Sequence, residues 1–266
     1  MTNPPLNLLL KQLRDPETDE RPDAELLARV AHSRDADALE ALIGRHASLV
    51  QGVCQRLLPC RADADDVFQA TFLVLLRRAA TLRSASSLGS WLHTTAYRLA
   101  LRVLASSRRR YPLEAGREPH AGRDPLDEIS GRELCAVIDE ELQHLPEKYR
   151  AAVVLCCLEN RSREEAAREL GWGVGSVKAR LQRGRELLRR RLERRGLALS
   201  TALLAPLLTR TSAPAALLPP ARDFLAGQGT SLSARAVQLA GGAIAAPLRS
   251  LTACVLLLAL VTAGAS

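Results

Sequence analysis

Aromatic side chains are scarce in this 266-residue chain: three Phe, three Tyr and two Trp make up 3% of it. Strands favour β-branched and aromatic residues, so cores built from Leu, Ala and Val suit packed helices better than a sandwich or barrel. Regularly spaced cysteine is missing too. Cys54, Cys60, Cys135, Cys156, Cys157 and Cys254 form no C-x-x-C pair, and most lie in apolar helical runs. They read as small buried hydrophobes in a reducing compartment. Neither a G-x-x-x-x-G-K-[ST] loop, nor a strand-linked G-x-G-x-x-G, nor an H-E-x-x-H is present, and His32, His46, His93, His120 and His144 are scattered. Catalysis is therefore not expected, and nothing calls for a cofactor or a metal. Asp63, Asp65 and Asp66 cluster, but acids at a helix start are ordinary caps. A secretory leader is not expected either, because the apolar Leu6–Leu10 is short, follows Pro4 and Pro5 and lacks a basic lead.

What the chain does have is positive charge, and it is concentrated. The net charge is +8 and the sequence pI about 9.7, which implies a polyanionic partner, nucleic acid ahead of a membrane surface. From Arg161 to Arg195 there are 12 Lys/Arg against 5 Asp/Glu, a local net of +7. Nearly the whole imbalance sits in one short stretch.

Periodicity divides the chain. Residues 1–22 are rich in Pro, Asp and Glu and read as a poorly ordered tail. Residues 23–110 are almost continuously helical. Asp23 is placed as a cap, an amphipathic helix is expected over 37–58, and Asp65 or Asp66 is expected to start the next. That third helix, VFQATFLVLLRRAA, is apolar on nearly every face. A Ser-rich loop over 81–90 leads to a helix from Trp91 to Arg110. Residues 111–125, with three prolines and two glycines, form a flexible linker. Residues 126–195 give four more helices, near 126–144, 146–159, 163–170 and 174–194. Residues 196–266 form an extension of Ala, Leu, Pro and Gly. From 200 onward its only charges are Arg210, Arg222, Asp223, Arg235 and Arg249.

The basic stretch has the pattern of a helix-turn-helix. Ser162 and Glu165 form an S-x-x-E capping box. Gly171 suits the left-handed residue that ends a helix, and Gly175 and Ser176 open the next. Val177, Leu181, Leu187 and Leu188 are expected to face the core. Lys178, Ala179, Gln182 and Arg183 share another face, near the end of the helix that reads bases in such motifs. Lys and Arg suit guanine or phosphate and Gln suits adenine, with Arg180, Arg185, Arg189 and Arg190 as phosphate clamps.

Three stretches in sequence resemble a bacterial sigma-70-family RNA polymerase sigma factor of the extracytoplasmic-function type. ADADDVFQATFLVLLRR (62–78) is similar to the family's acid–Gln–Phe helix that grips the polymerase. SLGSWLHTTAYRLALRVLASSRRR (87–110) is similar to its tryptophan-bearing helix that melts and reads the minus-10 element. LPEKYRAAVVLCCLENRSREEAARELGWGVGSVKARLQRGRELL, from Leu145, is similar to its minus-35-reading helix-turn-helix. The resemblance implies an all-α protein: a region 2-like bundle and a region 4-like domain, joined by the linker and followed by the low-charge extension. It further implies that Asp65, Asp66, Gln69, Phe72 and Leu73 meet core RNA polymerase. Ser84, Ser86, Ser87, Trp91, Thr94, Tyr97, Arg98, Arg102, Arg108 and Arg109 would meet minus-10 promoter DNA, with the Ser-rich loop holding an extruded base. Ser176, Lys178, Ala179, Arg180, Gln182 and Arg183 would meet minus-35 DNA. Taken alone, Trp91 reads first as a core residue.

Departures limit what is carried over. The family commonly has an Arg-Asn pair and a later Asp where this chain has Tyr97, Arg98 and Arg102. Ala179 stands where Ser is frequent, and Trp172-Gly173 alters the turn. Base preferences are therefore not transferred. A stand-alone helix-turn-helix regulator is the competing reading, though it leaves the acid–Gln–Phe and Trp91 helices unexplained. An anti-sigma protein is a further candidate partner. Residues 250–266 are 17 uncharged residues, just short of the roughly 20 that span a bilayer. With Arg249 as a cytoplasmic flank they are either a membrane anchor or a loosely helical tail. The location implied is the cytoplasm, with tethering to the inner face of the membrane if that segment inserts.

Overall fold

The computed structural model describes residues 21–82, 87–110, 131–197, 224–225 and 233–245, and every regular element among them is helical. Helices α1 (Asp23–Ser33), α2 (Ala36–Leu57), α3 (Arg61–Arg78) and α4 (Leu88–Arg110) form a first unit. Helices α5 (Gly131–Gln143), α6 (Glu147–Val153), α7 (Arg163–Leu170) and α8 (Val174–Arg194) form a second. A last helix, α9 (Ala234–Ala245), comes from the extension and lies along α3. Residues 111–130, 250–266, Ser84 and Ser86 lie outside the described residues, so the linker, the helix start near 126 and the anchor segment do too.

Two helix starts differ from the sequence expectation. Asp23 does not cap α1; Pro22 holds that position. The Asp23 carboxylate turns inward instead and pairs with Arg45 and His46, because a buried charge is stable only when paired. Helix α3 begins at Arg61 rather than at Asp65 or Asp66, with Cys60 at its N-cap and no side-chain cap bond. Tertiary packing sustains helices that have weak local signals. Helix α2 starts as an acid-capped helix should: the Asp35 carboxylate accepts from the backbone N–H groups of Asp37 and Ala38 at 3.0 and 3.1 Å.

The first core is aliphatic, as the composition requires. Leu39, Leu42, Val50, Phe72, Leu92 and Leu99 are fully buried within it. In the second unit, Ile138, Leu142, Val154 and Leu188 bury together and recruit Leu49 from α2, so one apolar cluster joins the two units. Between α6 and α7 the backbone widens into a π-helical turn, Val154–Leu158. Asn160, at φ 53°, then reverses the chain into the helix-turn-helix. Of the cysteines among the described residues, Cys54, Cys135 and Cys157 are buried and Cys156 is half-buried. Cys60 departs from the expectation: at the N-cap of α3 it is exposed.

Two buried polar networks hold the units together, and neither has a local sequence signature. In the first, His46 Nε2 lies 2.8 Å from Asp23 and Nδ1 lies 2.6 Å from Glu159, beyond the π turn. Burial alone pushes the imidazole pKa down, but the Asp23 and Glu159 carboxylates outweigh it and raise it to about 10. The ring is thus an imidazolium clamped between two acids. In the second, Arg56 of α2 makes a bidentate pair with Asp139 of α5 at 2.6 and 3.0 Å. His93 of α4 reaches the same carboxylate at 3.0 Å, while the Gln143 amide donates to its other nitrogen at 2.9 Å. That donor leaves the ring proton on the nitrogen facing Asp139. Burial raises the Asp139 pKa, and Arg56 and His93 outweigh it to hold the group ionised.

Candidate functional site

The helix-turn-helix is set by local chemistry. Ser162 Oγ accepts from Glu165 N at 3.1 Å, and the Glu165 carboxylate accepts from Ser162 N at 2.8 Å, which closes the capping box. Gly171 takes φ 64° and ends α7; any side chain there would be strained. Helix α8 then starts at Val174, one residue before Gly175, with Gly173 at its N-cap. Val177, Leu181 and Leu188 are buried and Leu187 is half-buried. Gly184 lets α8 pack closely on α6: a Cβ there would lie 2.8 Å from Val153 Cγ2 and 3.1 Å from the Tyr149 carbonyl oxygen.

That inward face leaves the opposite one open. Ser176, Lys178, Ala179, Gln182 and Arg183 are all exposed. Lys178 and Gln182 of this set line a cleft of about 1000 Å³ whose walls also carry Arg161, Arg163, Arg185 and Arg190, with Glu164 and Glu186 among them. The Arg180 guanidinium stacks 3.8 Å from the centre of the Trp172 ring, so the altered turn fixes a cation. Sequence reasoning noted Trp172 as a departure and missed this role. Two expected phosphate clamps are otherwise engaged: Arg189 bonds Glu186 and Glu193, and Arg190 bonds Glu186 at 2.7 Å. Acids one turn away on the same helix satisfy them.

Helix α4 carries the expected minus-10 residues from Trp91 onward, Ser87 directly precedes it, and the structure divides them. Trp91 is half-buried against the first core, as its reading in isolation suggested. Ser87, Thr94 and Tyr97 are buried rather than presented to a ligand. Their helical spacing places them beside Leu88, Ala96, Ala100 and Val103, on the stripe that packs inward. Burial lifts the Tyr97 phenol above its ordinary range. Arg98 is half-buried and Arg102 exposed, and Arg108 and Arg109 fall in the last turn of the helix. Burial, then Arg150 and Arg102, pull the Arg98 pKa down, so the cluster would be relieved by an anion. The first turn of α4 also abuts the second unit. Ser90 Oγ donates to Glu147 and accepts from Arg150, both at 3.3 Å. A Cβ on Gly89 would meet the Glu159 carboxylate at 2.7 Å.

Helix α3 gives the largest departure from the sequence picture. The resemblance implies that Phe72 and Leu73 meet a partner, and Phe68 lies one turn from Phe72. All three are buried, and Leu76 is half-buried. The chain itself covers them. Phe224 sits edge-on to Phe72 with ring centroids 6.3 Å apart, and Ala236 and Ala240 of α9 join the same cluster. The polar residues are engaged as well. Asp66 accepts from Ser233 Oγ at 2.5 Å, Gln69 Oε1 accepts from Ser233 N at 2.9 Å, and Arg235 pairs with Asp63. Asp65 faces the other way and accepts from the Gln51 amide at 3.4 Å. Among the described residues no group of His, Cys, Asp and Glu is arranged to hold a metal.

Two helical units, one bearing an open basic helix-turn-helix, define a DNA-binding protein of modular design. Residues 42–110 match Sigma-70 region 2 and residues 135–188 match Sigma-70, region 4. The chain is 33% identical over 178 residues to the extracytoplasmic-function (ECF) RNA polymerase sigma factor SigM of Mycobacterium tuberculosis, covering 65% of this chain and 86% of that protein. It is 32% identical over 154 residues to ECF RNA polymerase sigma factor SigE of Mycolicibacterium smegmatis, covering 56% of this chain and 60% of that protein. A solved structure titled "Structure of CnrH in complex with the cytosolic domain of CnrY" aligns with 65% of this chain and 97% of that one, at 22% identity and a TM-score of 0.31. The chain belongs to the ECF RNA polymerase sigma factors of the sigma-70 family.

Proposed function

We propose that the chain docks on core RNA polymerase through α3, engages minus-10 DNA with α4 and the loop before it, and holds minus-35 duplex with α8. The observation that carries this reading is the exposed set Ser176, Lys178, Ala179, Gln182 and Arg183 on the first half of α8, of which Lys178 and Gln182 line a cleft shared with four arginines. Charge-bearing side chains left in water beside an apolar, buried back face suit a phosphate-lined groove. On α4, Arg98 and Arg102 would neutralise phosphates while the Trp91 ring offers a face for a base. Residues 111–125 act as the linker that lets two weak contacts add through effective concentration. The mechanism is binding, with no bond made or broken by the protein itself.

The test is promoter-directed transcription by purified core polymerase and this chain on a genomic library. Run-off products starting at discrete sites support the reading. Products that appear equally without the chain, or a chain that shifts DNA but never associates with polymerase, favour the stand-alone regulator. An anti-sigma protein is the further partner proposed. The location proposed is the cytoplasm, with tethering through residues 250–266. No described helix is long and apolar enough to cross a membrane, and fractionation of tagged protein between membrane and cytosol tests the tether.

A further inference from the structure

The contact between α9 and α3 has the makings of a binding event held within one chain. The first turn of α9 is the docking end. Ser233 Oγ accepts from Ala236 N at 2.9 Å, so it caps the helix while donating its own proton to Asp66. Arg235 adds a guanidinium between Asp63 and Asp66. The acids of α3 therefore meet the positive end of the α9 dipole, a hydroxyl and a cation together. Behind this polar end the contact is apolar: Ala236 and Ala240 are fully buried, Val237 and Leu239 pack beside them, and Phe224 closes over Phe72. Of the five charged residues from position 200 onward, the one that α9 carries is the one facing the two acids.

We propose that the extension is an internal competitor for the polymerase-binding face of α3: Phe224 and α9 occupy it, and polymerase must displace them. The inference rests on α3 being that face. It also defines what the face accepts, a helix whose first turn presents a hydroxyl and a guanidinium to Asp63 and Asp66 and whose side is narrow enough for close packing. The segment holding α9 has few charges, and its larger aliphatic groups, Leu225, Val237 and Leu239, are only partly buried against the core, which suits reversible occupation over permanent fusion. A chain that must open before it binds has its apparent affinity divided by its open fraction. Polymerase occupancy is thus set by whatever holds or releases the extension.

The experiment measures the affinity of the full chain for purified core polymerase by fluorescence anisotropy. Arg235→Glu sets a third acid against Asp63 and Asp66 at a position partly open to solvent, so it releases α9 without touching the domain core. Its affinity is expected to rise roughly tenfold over the unmodified chain, within the usual range of intramolecular coupling. Ala240→Glu attacks the same contact from the apolar side and gives a rise of the same sign. Adding Asp63→Arg to Arg235→Glu restores the attraction. Because Asp63 lies on the face itself, the readout for this pair is renewed docking of α9, seen as recovered amide-exchange protection over 234–245, and no recovery there overturns the masking. Equal, measurable affinities for the unmodified chain and Arg235→Glu overturn the masking while leaving the polymerase reading standing. Absence of binding by both overturns the polymerase reading, and the masking with it. Circular dichroism of each variant separates release of α9 from unfolding.

Discussion

Helices α3 and α8 both carry expected recognition residues, yet one is covered and the other open. On α8 the groups are Lys178, Gln182 and Arg183, which sit in water at little cost, and no described segment lies over them. On α3 they include Phe72 and Leu73, whose exposure would leave a large apolar patch on a free protein. The chain closes that patch with its own Phe224, Ala236 and Ala240. The difference follows from the partners' chemistry. A surface meant for phosphate can wait uncovered, whereas a surface meant for an apolar partner needs a temporary cover. On the proposed roles, the same side chains of α3 serve both stability and binding, whereas in α8 the two duties fall to opposite faces.

The comparison breaks most visibly on stability. Phe72→Ala should cost about 3–5 kcal/mol in urea unfolding, the range for emptying a buried aromatic site. Lys178→Ala should stay within about 0.5 kcal/mol, as exposed substitutions do. If the two cost the same, the division of duties is wrong. An intermediate loss is expected at Gly184→Ala, whose Cβ would strike Val153 and the Tyr149 carbonyl. Overpacking of this kind costs about 1–3 kcal/mol, and because α8 must shift, promoter binding should weaken although no DNA-facing group has changed. Lys178→Ala and Arg183→Ala should leave the fold alone and weaken upstream promoter binding. For each cation that no longer neutralises a phosphate, the slope of log affinity against log salt should fall by about one.

The shared scaffold gives a pH test. The imidazolium at position 46 has its pKa raised from 6.5 to about 10 in the folded protein. A group raised on folding stabilises fully below its unfolded value and loses that contribution as pH climbs through the folded one. Melting temperature should therefore fall between about pH 6.5 and 10, the window set by those two values. Glu169, raised to about 7 first by burial and then by Asp23 and Glu159, adds a decline of the same sign from 4.5 upward. In His46→Gln the fall above pH 7 should flatten, and an unchanged profile would remove His46 from the account.

Much of this molecule could be read locally. The capping box at Ser162 and Glu165, the glycine stop at 171, the inward Val177, Leu181 and Leu188, and the limits of α7 and α8 all depend on neighbours within a few residues. The pairings of His46 and His93 could not be read that way. Their acids lie 23 and 113 residues from His46 and 46 from His93, and no periodicity signals a partner at that distance. Asp23 misled for the same reason: an acid at a helix start looks like a cap until a buried imidazolium claims it. The cover on α3 lies in an extension rich in Ala and Gly, where Ser233 is a legible helix cap but nothing local marks what the helix would pack against. Its fit to α3 is a property of two surfaces, of which a single stretch of sequence displays only one.

The crossing at Gly184 bears on how such a protein changes its targets over time. Helix α8 is held from behind, where Val153 and the Tyr149 carbonyl touch its bare backbone, and from its far end, where Arg191 and Arg195 grip Glu141 and Glu140. A slip of one residue along the helix would move it about 1.5 Å and turn its outer row by roughly 100°, away from any groove. Aim is thus stored in residues that never touch DNA. The residues proposed to read bases lie apart from that grip, at 178, 179, 182 and 183, where they are exposed and substitution disturbs no packing. New promoter sequences can be explored one exposed side chain at a time, with the reading head kept at its angle throughout.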